Sequence, residues 1–250
     1  MSIVFSNPTT KAGICELIDA NINTDLVSYP MIDKVRDINL ALDAFLAIAL
    51  KACGGWQFDD SNQTKDPIIT TDLVSDQRDY HFTTDEQGNL ILDIYRVMVA
   101  NPNGVFYDLY PVDQQNKNYD SIAMVDGQNT QGQPTKYDKT GNGIFLDAIP
   151  NYSYTNGLKL FINRETTYFT SSDTTKKAGI DGRLQEYLAI RPTAIYAGRK
   201  GLPTANYWAN ELLKYEGDED RGITGKIESI YSKRSRDEAT QILTKSRSSR

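Results

Sequence analysis

What most constrains this chain is a hydrophobic period that changes twice along its length. From Met31 to Ala52 the apolar residues Met31, Val35, Ile38, Leu42, Phe45, Leu46 and Ala49 recur at the ~3.6-residue spacing of one helix face. Gly54-Gly55 follows directly, as a helix end favours. From Pro67 to Arg164 the pattern becomes apolar–polar alternation cut by turn residues. Helical spacing returns near Asp181 and continues through Tyr231. A helical stripe and an alternating stripe cannot share one kind of element. The order therefore predicts an α+β chain: a helical bundle built from residues 1–55 and 175–232, an inserted antiparallel β-module of ~100 residues over 56–174, and a basic C-terminal arm over 233–250.

Within the module, Ile68–Leu73 and Arg78–Phe82 read as short strands. Leu90–Ala100 reads as a longer one, with Tyr95, Val97 and Val99 on one face. Asn101-Pro-Asn-Gly104 is a hairpin turn, because Asn and Gly tolerate the positive φ it needs. Val105–Val112 returns from it, with Val105, Tyr107 and Leu109 alternating. Gln114–Gln133 lacks any period and reads as a long loop. Thr135–Lys139 and Ile144–Ile149 flank a second turn, Thr140-Gly-Asn-Gly143, and Leu158, Leu160 and Ile162 mark the last strand. Among the helices, Lys11–Asn21 is weakly periodic. Leu184, Tyr187, Leu188, Arg191, Ile195 and Ala197 form a stripe that Pro192 is expected to kink. Gly201-Leu-Pro203 breaks that helix, and Pro203 opens another carrying Trp208, Leu212 and Tyr215. A last helix is expected across Ile223, Ile227, Ile230 and Tyr231.

Charge narrows the function classes. The net charge of −6 disfavours general nucleic-acid binding by the body of the chain. The acidity is uneven, since Lys226, Lys233, Arg234, Arg236, Lys245, Arg247 and Arg250 outnumber the acids Glu228, Asp237 and Glu238 at the C-terminal end. Cys15 and Cys53 lie beside apolar runs and read as reduced, buried thiols. With a single histidine they cannot complete a four-ligand zinc site. The opening MSIVFSNPTTKAG lacks the charged-then-apolar order of a signal peptide, and the apolar block ALDAFLAIAL is about half a membrane span. The expectation is a soluble protein made in the cytoplasm, without a membrane partner.

The aspartate-rich passage from Gly54 to Phe82 raises the question of a metal or acid–base site. His81 lies two positions from Asp79 in a strand pattern, but no nucleophile motif such as G-x-S-x-G accompanies it. A calcium loop starting at Asp60 would place Asn62 and Thr64 at ligand positions. It would then put Lys65 where glycine is required and Thr71 where a bidentate Glu is required. Gly141-Asn-Gly143 starts no phosphate loop. Paired carboxylates could serve glycoside hydrolysis, but sequence does not set their separation. The expectation is therefore no enzyme and no cofactor. Local backbone bonding by these polar side chains accounts for the passage.

The same passage, WQFDDSNQTKDPIITTDLVSDQRDYHF, resembles a segment of the head-to-tail adaptors of tailed bacteriophages. These are also called connector, neck or gatekeeper proteins, and include the tail tubular protein A type. Trp56, Phe58, Asp59, Asp60, Asn62, Pro67, Ile68, Thr70, Thr71, Gln77, Asp79, Tyr80 and Phe82 fit its helix exit and two strands. Pro134-Thr-Lys-Tyr-Asp-Lys-Thr-Gly-Asn-Gly-Ile-Phe-Leu146 is similar to the family hairpin. Gly157-Leu-Lys-Leu-Phe161, Tyr168-Phe-Thr-Ser-Ser-Asp173, Tyr187-Leu-Ala-Ile-Arg191 and Gly198-Arg-Lys-Gly-Leu202 continue the likeness in order. Pro192 departs from the unbroken helix the family implies, and residues 217–250 match no part of it.

The resemblance implies a structural virion protein without catalytic residues. It implies a homo-oligomeric ring, usually a dodecamer, beneath the phage portal protein. The helical bundle would face neighbours and portal, and the module would face a downstream tail or nozzle protein. Genome DNA would pass through the centre without sequence-specific binding. An acidic bore suits that passage, because like charge denies DNA a sticking place. Lys233, Arg234, Arg236, Lys245, Arg247 and Arg250 would form a portal-docking arm, and Trp56 and Phe58, with Asp59 and Asp60, would fix the module to the bundle. Assembly would occur in the host cytoplasm, and the product would reside in the virion neck. Two other readings stand beside it. One is a receptor- or glycan-binding β-module on a helical base; the other is a nucleic-acid protein using the basic arm.

Overall fold

A computed structural model describes residues 3–53, 68–85, 88–112, 130–140 and 143–232. The fold is α+β, and it divides into two compact units. One is made from both ends of the chain, residues up to 64 and from 166 onward; the other is the continuous stretch Lys65–Glu165.

The first unit is helical. Helix α1 spans Ile14–Ile22, starting three residues later than its weak periodicity suggests. Asn23 ends it in the left-handed region (φ 51°), a conformation Asn tolerates through local hydrogen bonding. Helix α2, Met31–Cys53, carries the strongest stripe, and Ile38, Leu42, Phe45, Leu46 and Ala49 are all buried. Helix α3, Tyr187–Lys200, runs through Pro192. The sequence stripe begins at Leu184, but the residues before 187 form turns rather than helix. Gly201 closes α3 at φ 61°, with its N–H and that of Leu202 returning to the Ala197 carbonyl. Helix α4, Ala205–Glu216, follows, and a fifth helix begins at 226 and runs to 232. Ile223, expected inside that last helix, instead pairs with Asp218 in a two-residue ladder of β9 (Gly217–Asp218) and β10 (Ile223–Thr224). The positive φ of Gly217 and Gly222 accounts for the turn.

The core of this unit is aromatic. Phe5 stacks on Phe169 at 4.7 Å, Tyr29 on Tyr196 at 4.3 Å, and Tyr231 meets Phe45 edge-on at 5.8 Å. Each such fully buried ring contributes roughly 1.5–3 kcal/mol relative to exposure. Residues 166–174 were expected in the β-module, yet they belong here. Asn39 explains the placement: its side-chain amide donates to the Phe169 carbonyl at 3.0 Å and its Oδ1 accepts the Phe169 N–H at 2.9 Å. That double clamp holds the Phe169 ring in the helical core.

The second unit is two four-stranded sheets sharing one core. The first has the order β1-β8-β3-β4, from Ile68–Leu73, Tyr154–Arg164, Ile91–Ala100 and Phe106–Asp108. The second has the order β2-β7-β6-β5, from Asp79–His81, Gly143–Leu146, Lys136–Thr140 and Tyr110–Pro111. Leu73, Val97, Val99, Leu158, Leu160 and Ile162 from one sheet meet Tyr80, Tyr137, Ile144 and Leu146 from the other. The chain crosses between sheets at Leu109, whose N–H donates to the Val97 carbonyl.

Two features correct the sequence reading. The β5–β6 pair is parallel, so the module is not purely antiparallel. In β3, Val97 and Val99 face the core as expected, but Tyr95 is exposed and Ile94 is buried in its place. The ladder gives the reason: Ile94 pairs with Ile162 and Arg96 with Phe161, leaving Tyr95 as the extra residue of a bulge. One inserted residue reverses the alternation on its N-terminal side. The Asn101–Gly104 turn forms as read, with Asn101 Oδ1 accepting the N–H groups of Asn103 and Val105 and Gly104 at φ 80°.

Candidate functional site

The residues singled out for module attachment (Trp56, Phe58, Asp59, Asp60) and for the basic arm (Lys233, Arg234, Arg236, Lys245, Arg247, Arg250) lie outside the described residues, as does most of the loop read over Gln114–Gln133. His81 and Asp79 do meet, at 2.9 Å, and both stand exposed on β2. That is a surface pair on a strand. Among the described residues no group of three His, Cys, Asp or Glu side chains could hold a metal ion, and no helix is long and apolar enough to cross a membrane.

The feature with site-like geometry lies in the helical unit, where α1, the turn after it and the start of α2 enclose a groove of about 530 Å³. Cys15, Asp19 and Ala20 from α1, Leu26 from the turn, and Met31 and Lys34 from α2 line it. Glu16, Asp25 and Lys11 also line it. Each polar group is fixed by the local chain. Glu16 accepts from the Ser6 hydroxyl at 2.6 Å and the Asn7 N–H at 2.9 Å. Asp25 Oδ1 accepts the N–H groups of Val27 (3.1 Å) and Ser28 (2.8 Å) and the Ser28 hydroxyl. These bonds hold its carboxyl below the ordinary Asp range. By closing this turn on itself, Asp25 leaves the next two side chains outside. Leu26 is 61% exposed and Val27 88%, and one turn further Ile32 is 69% exposed. Of these three aliphatic side chains, Leu26 lines the groove.

The groove lining includes a buried charge. Lys34 is fully buried, with Nζ donating to Asp19 Oδ2 at 2.6 Å and lying 5.7 Å from the Tyr29 ring. The Thr24 hydroxyl donates to the other Asp19 oxygen at 2.8 Å. Behind it, Tyr29 donates to Asp37 Oδ2 at 2.6 Å, and Arg36 Nε donates to Asp37 Oδ1 at 3.0 Å. Burial raises the Tyr29 hydroxyl far above its usual range, and the bond to Asp37 raises it further. The Cys15 thiol is pushed up to about 12, chiefly by burial and then by Glu16, so it stays protonated near neutrality. A protonated thiol is a poor nucleophile.

Sequence reasoning missed Lys34 and Asp37. The signal was present: counting back from Ile38 by four gives Lys34, a charged residue on an otherwise apolar stripe. A cation at such a place is either paired or costly. No protein-family model matches the chain, and no curated protein matches it.

Proposed function

We propose that this chain is a head-to-tail adaptor of a tailed bacteriophage, a non-enzymatic ring component seated between the portal and a downstream tail or nozzle protein. The observation that carries the reading is its architecture. Helices from both ends of the chain form one unit, and a continuous β unit is inserted between them. This is the layout implied by the ordered likeness of residues 30–215 to that family.

The physical logic follows from charge. Residues 233–250 hold six Lys/Arg against two acids, so of the net −6 the remaining chain carries −10. A body of that sign repels passing DNA. A basic arm of opposite sign suits docking to an acidic partner surface, here assigned to the portal. Specificity would reside in how copies and partners fit, with no covalent chemistry.

Mass photometry of the protein alone, and mixed with the portal ring of the same phage, tests the reading. A discrete complex with one ring of this chain added per portal is expected, and its mass gives the copy number. A folded protein that never joins the portal at any salt concentration overturns it. A monomer alone decides nothing, because portal-templated assembly also starts from monomers.

A further inference from the structure

We infer that the β9–β10 hairpin of one copy docks on a second copy of this chain, on the surface shared by the start of α2 and the end of α3. The contact stands on residues and distances; that repeated contacts close into a ring rests on the adaptor reading.

The hairpin is held at its base. A Cβ at Gly225, just after β10, would run into the Tyr215 carbonyl, so the end of α4 and the foot of the hairpin pack backbone against backbone. Lys226 Nζ donates to the Arg183 carbonyl at 2.9 Å, and Lys51 of α2 pairs with Glu219. Outward, the hairpin presents an acidic tip beside an aliphatic side chain. Asp218 is spent on Arg221 at 3.2 Å. Glu219 keeps 80% of its side chain exposed despite its pair with Lys51, and Asp220 makes no ion pair among the described residues. Ile223 stands opposite Asp218 in the ladder and is 48% exposed.

The receiving surface has the opposite character. Ile32, Arg36 and Leu40 recur at four-residue steps along α2 and so share its outer face. Ile32 is 69% exposed and Leu40 49%. Arg36 is already committed to Asp33 and Asp37. The less committed cations come from α3. Arg199 reaches the same Asp37 carboxylate only at 3.5 Å, which places it beside Arg36. Lys200 makes no ion pair among the described residues, and its ammonium lies 5.8 Å from the Tyr196 ring. Two exposed aliphatic side chains beside Arg199 and Lys200 complement Ile223 beside Glu219 and Asp220.

One chain cannot bring the two together. Lys51, which holds the hairpin, lies fifteen residues beyond Arg36 on the same helix, about 22 Å at ~1.5 Å per residue. Helix α4 separates Lys200 from the hairpin by a second route, 12 residues or about 18 Å long. The hairpin therefore finds its complement on another copy. Such a contact joins two different patches and leaves one of each free on every pair, so it repeats from chain to chain.

The full-length chain with the photo-crosslinking residue p-benzoylphenylalanine in place of Ile223 tests this, irradiated alone in concentrated solution and again with the portal ring present. A ladder of dimer, trimer and longer products is expected. Peptide mass mapping of the dimer band should place the link on residues 32–40 of the neighbouring chain. Lys200→Glu should lower the ladder about tenfold with the melting midpoint unchanged, and adding Asp220→Lys to the same chain should restore it, a rescue that a merely structural role would not give. Links between two hairpins, links confined to single chains, a failed rescue, or no ladder in either mixture overturn the inference. The adaptor reading fails separately. A portal ring that forms without this link overturns the contact alone, and a ladder without any portal ring overturns the adaptor alone.

Discussion

Lys34 in the helical unit and Arg164 in the β unit are both cations shut away from solvent, but their carboxylate partners live in different surroundings. Asp19, the partner of Lys34, is 26% exposed and opens onto a groove. Asp85, the partner of Arg164, is only 4% exposed, as is Arg164 itself. Asp85 is further held by the Asn89 N–H at 2.8 Å and the Asn89 amide at 3.1 Å. The Arg164 guanidinium and this closed carboxylate make a lock that ties Asp85 and Asn89 to the end of β8. The Lys pair is instead one wall of an accessible site. Burial of charge therefore serves closure in one unit and an opening in the other.

Removing each carboxylate separates the two cases most widely. Asp85→Asn leaves Arg164 buried beside a neutral group that water cannot easily replace, and should cost about 3–5 kcal/mol. Asp19→Asn leaves Lys34 next to a groove that admits water, and should cost about 1–3 kcal/mol. Hydrogen exchange read by mass spectrometry, on peptides from β3 and β8 for the first variant and from α1 and α2 for the second, measures both. Equal losses would erase the distinction between lock and wall.

Acid sharpens the same contrast. Burial alone would raise the Asp85 carboxyl, but hydrogen bonds from Arg164 and then Asn89 outweigh it and hold the group below the ordinary range. A carboxylate depressed in the folded state contributes stability that is fully present above its unfolded value of about 4. That contribution is lost as pH falls through the lower folded value. The urea resistance of β3 and β8 should therefore drop below about pH 4 in the wild-type chain. Asp85→Asn should lack this part of the drop. An identical acid profile in both would assign the acid sensitivity to other carboxylates.

These contrasts also show what could be read from sequence. The alternation at Leu158, Leu160 and Ile162 and the stripe from Ile38 to Ala49 predict their own burial, because a period names a face. The Asn101–Gly104 turn is legible for the same local reason, since few residues accept its dihedrals. The position of Tyr95 is not legible locally because a bulge is a property of two strands, and its cause lies in the pairing with Phe161 and Ile162 of β8, far along the chain. Residues 166–174 read as part of the module because the groups that draw them into the helical core, Asn39, Phe5 and Asp43, are distant in sequence. The groove was invisible for a related reason: Lys34 and Asp19 sit on different helices, and no spacing within either announces their meeting.

The smallest expected effect compares two left-handed glycines, one in each unit. Gly201 ends α3 at φ 61° with open space where a Cβ would stand. Gly104 turns the β3–β4 hairpin at φ 80°, and a Cβ there would lie 2.4 Å from the Tyr154 hydroxyl oxygen. Alanine at either position meets the backbone penalty of the left-handed region, about 1 kcal/mol. At Gly104 it must also displace the Tyr154 ring tip. That tip is the end of a flexible side chain, so the added cost stays near ~0.5–1 kcal/mol. Gly104→Ala should therefore exceed Gly201→Ala by that margin in urea titrations. Shortening the Tyr with Tyr154→Leu should abolish that margin. If the margin persists, the extra strain at Gly104 resides in the hairpin backbone and not in the contact with Tyr154.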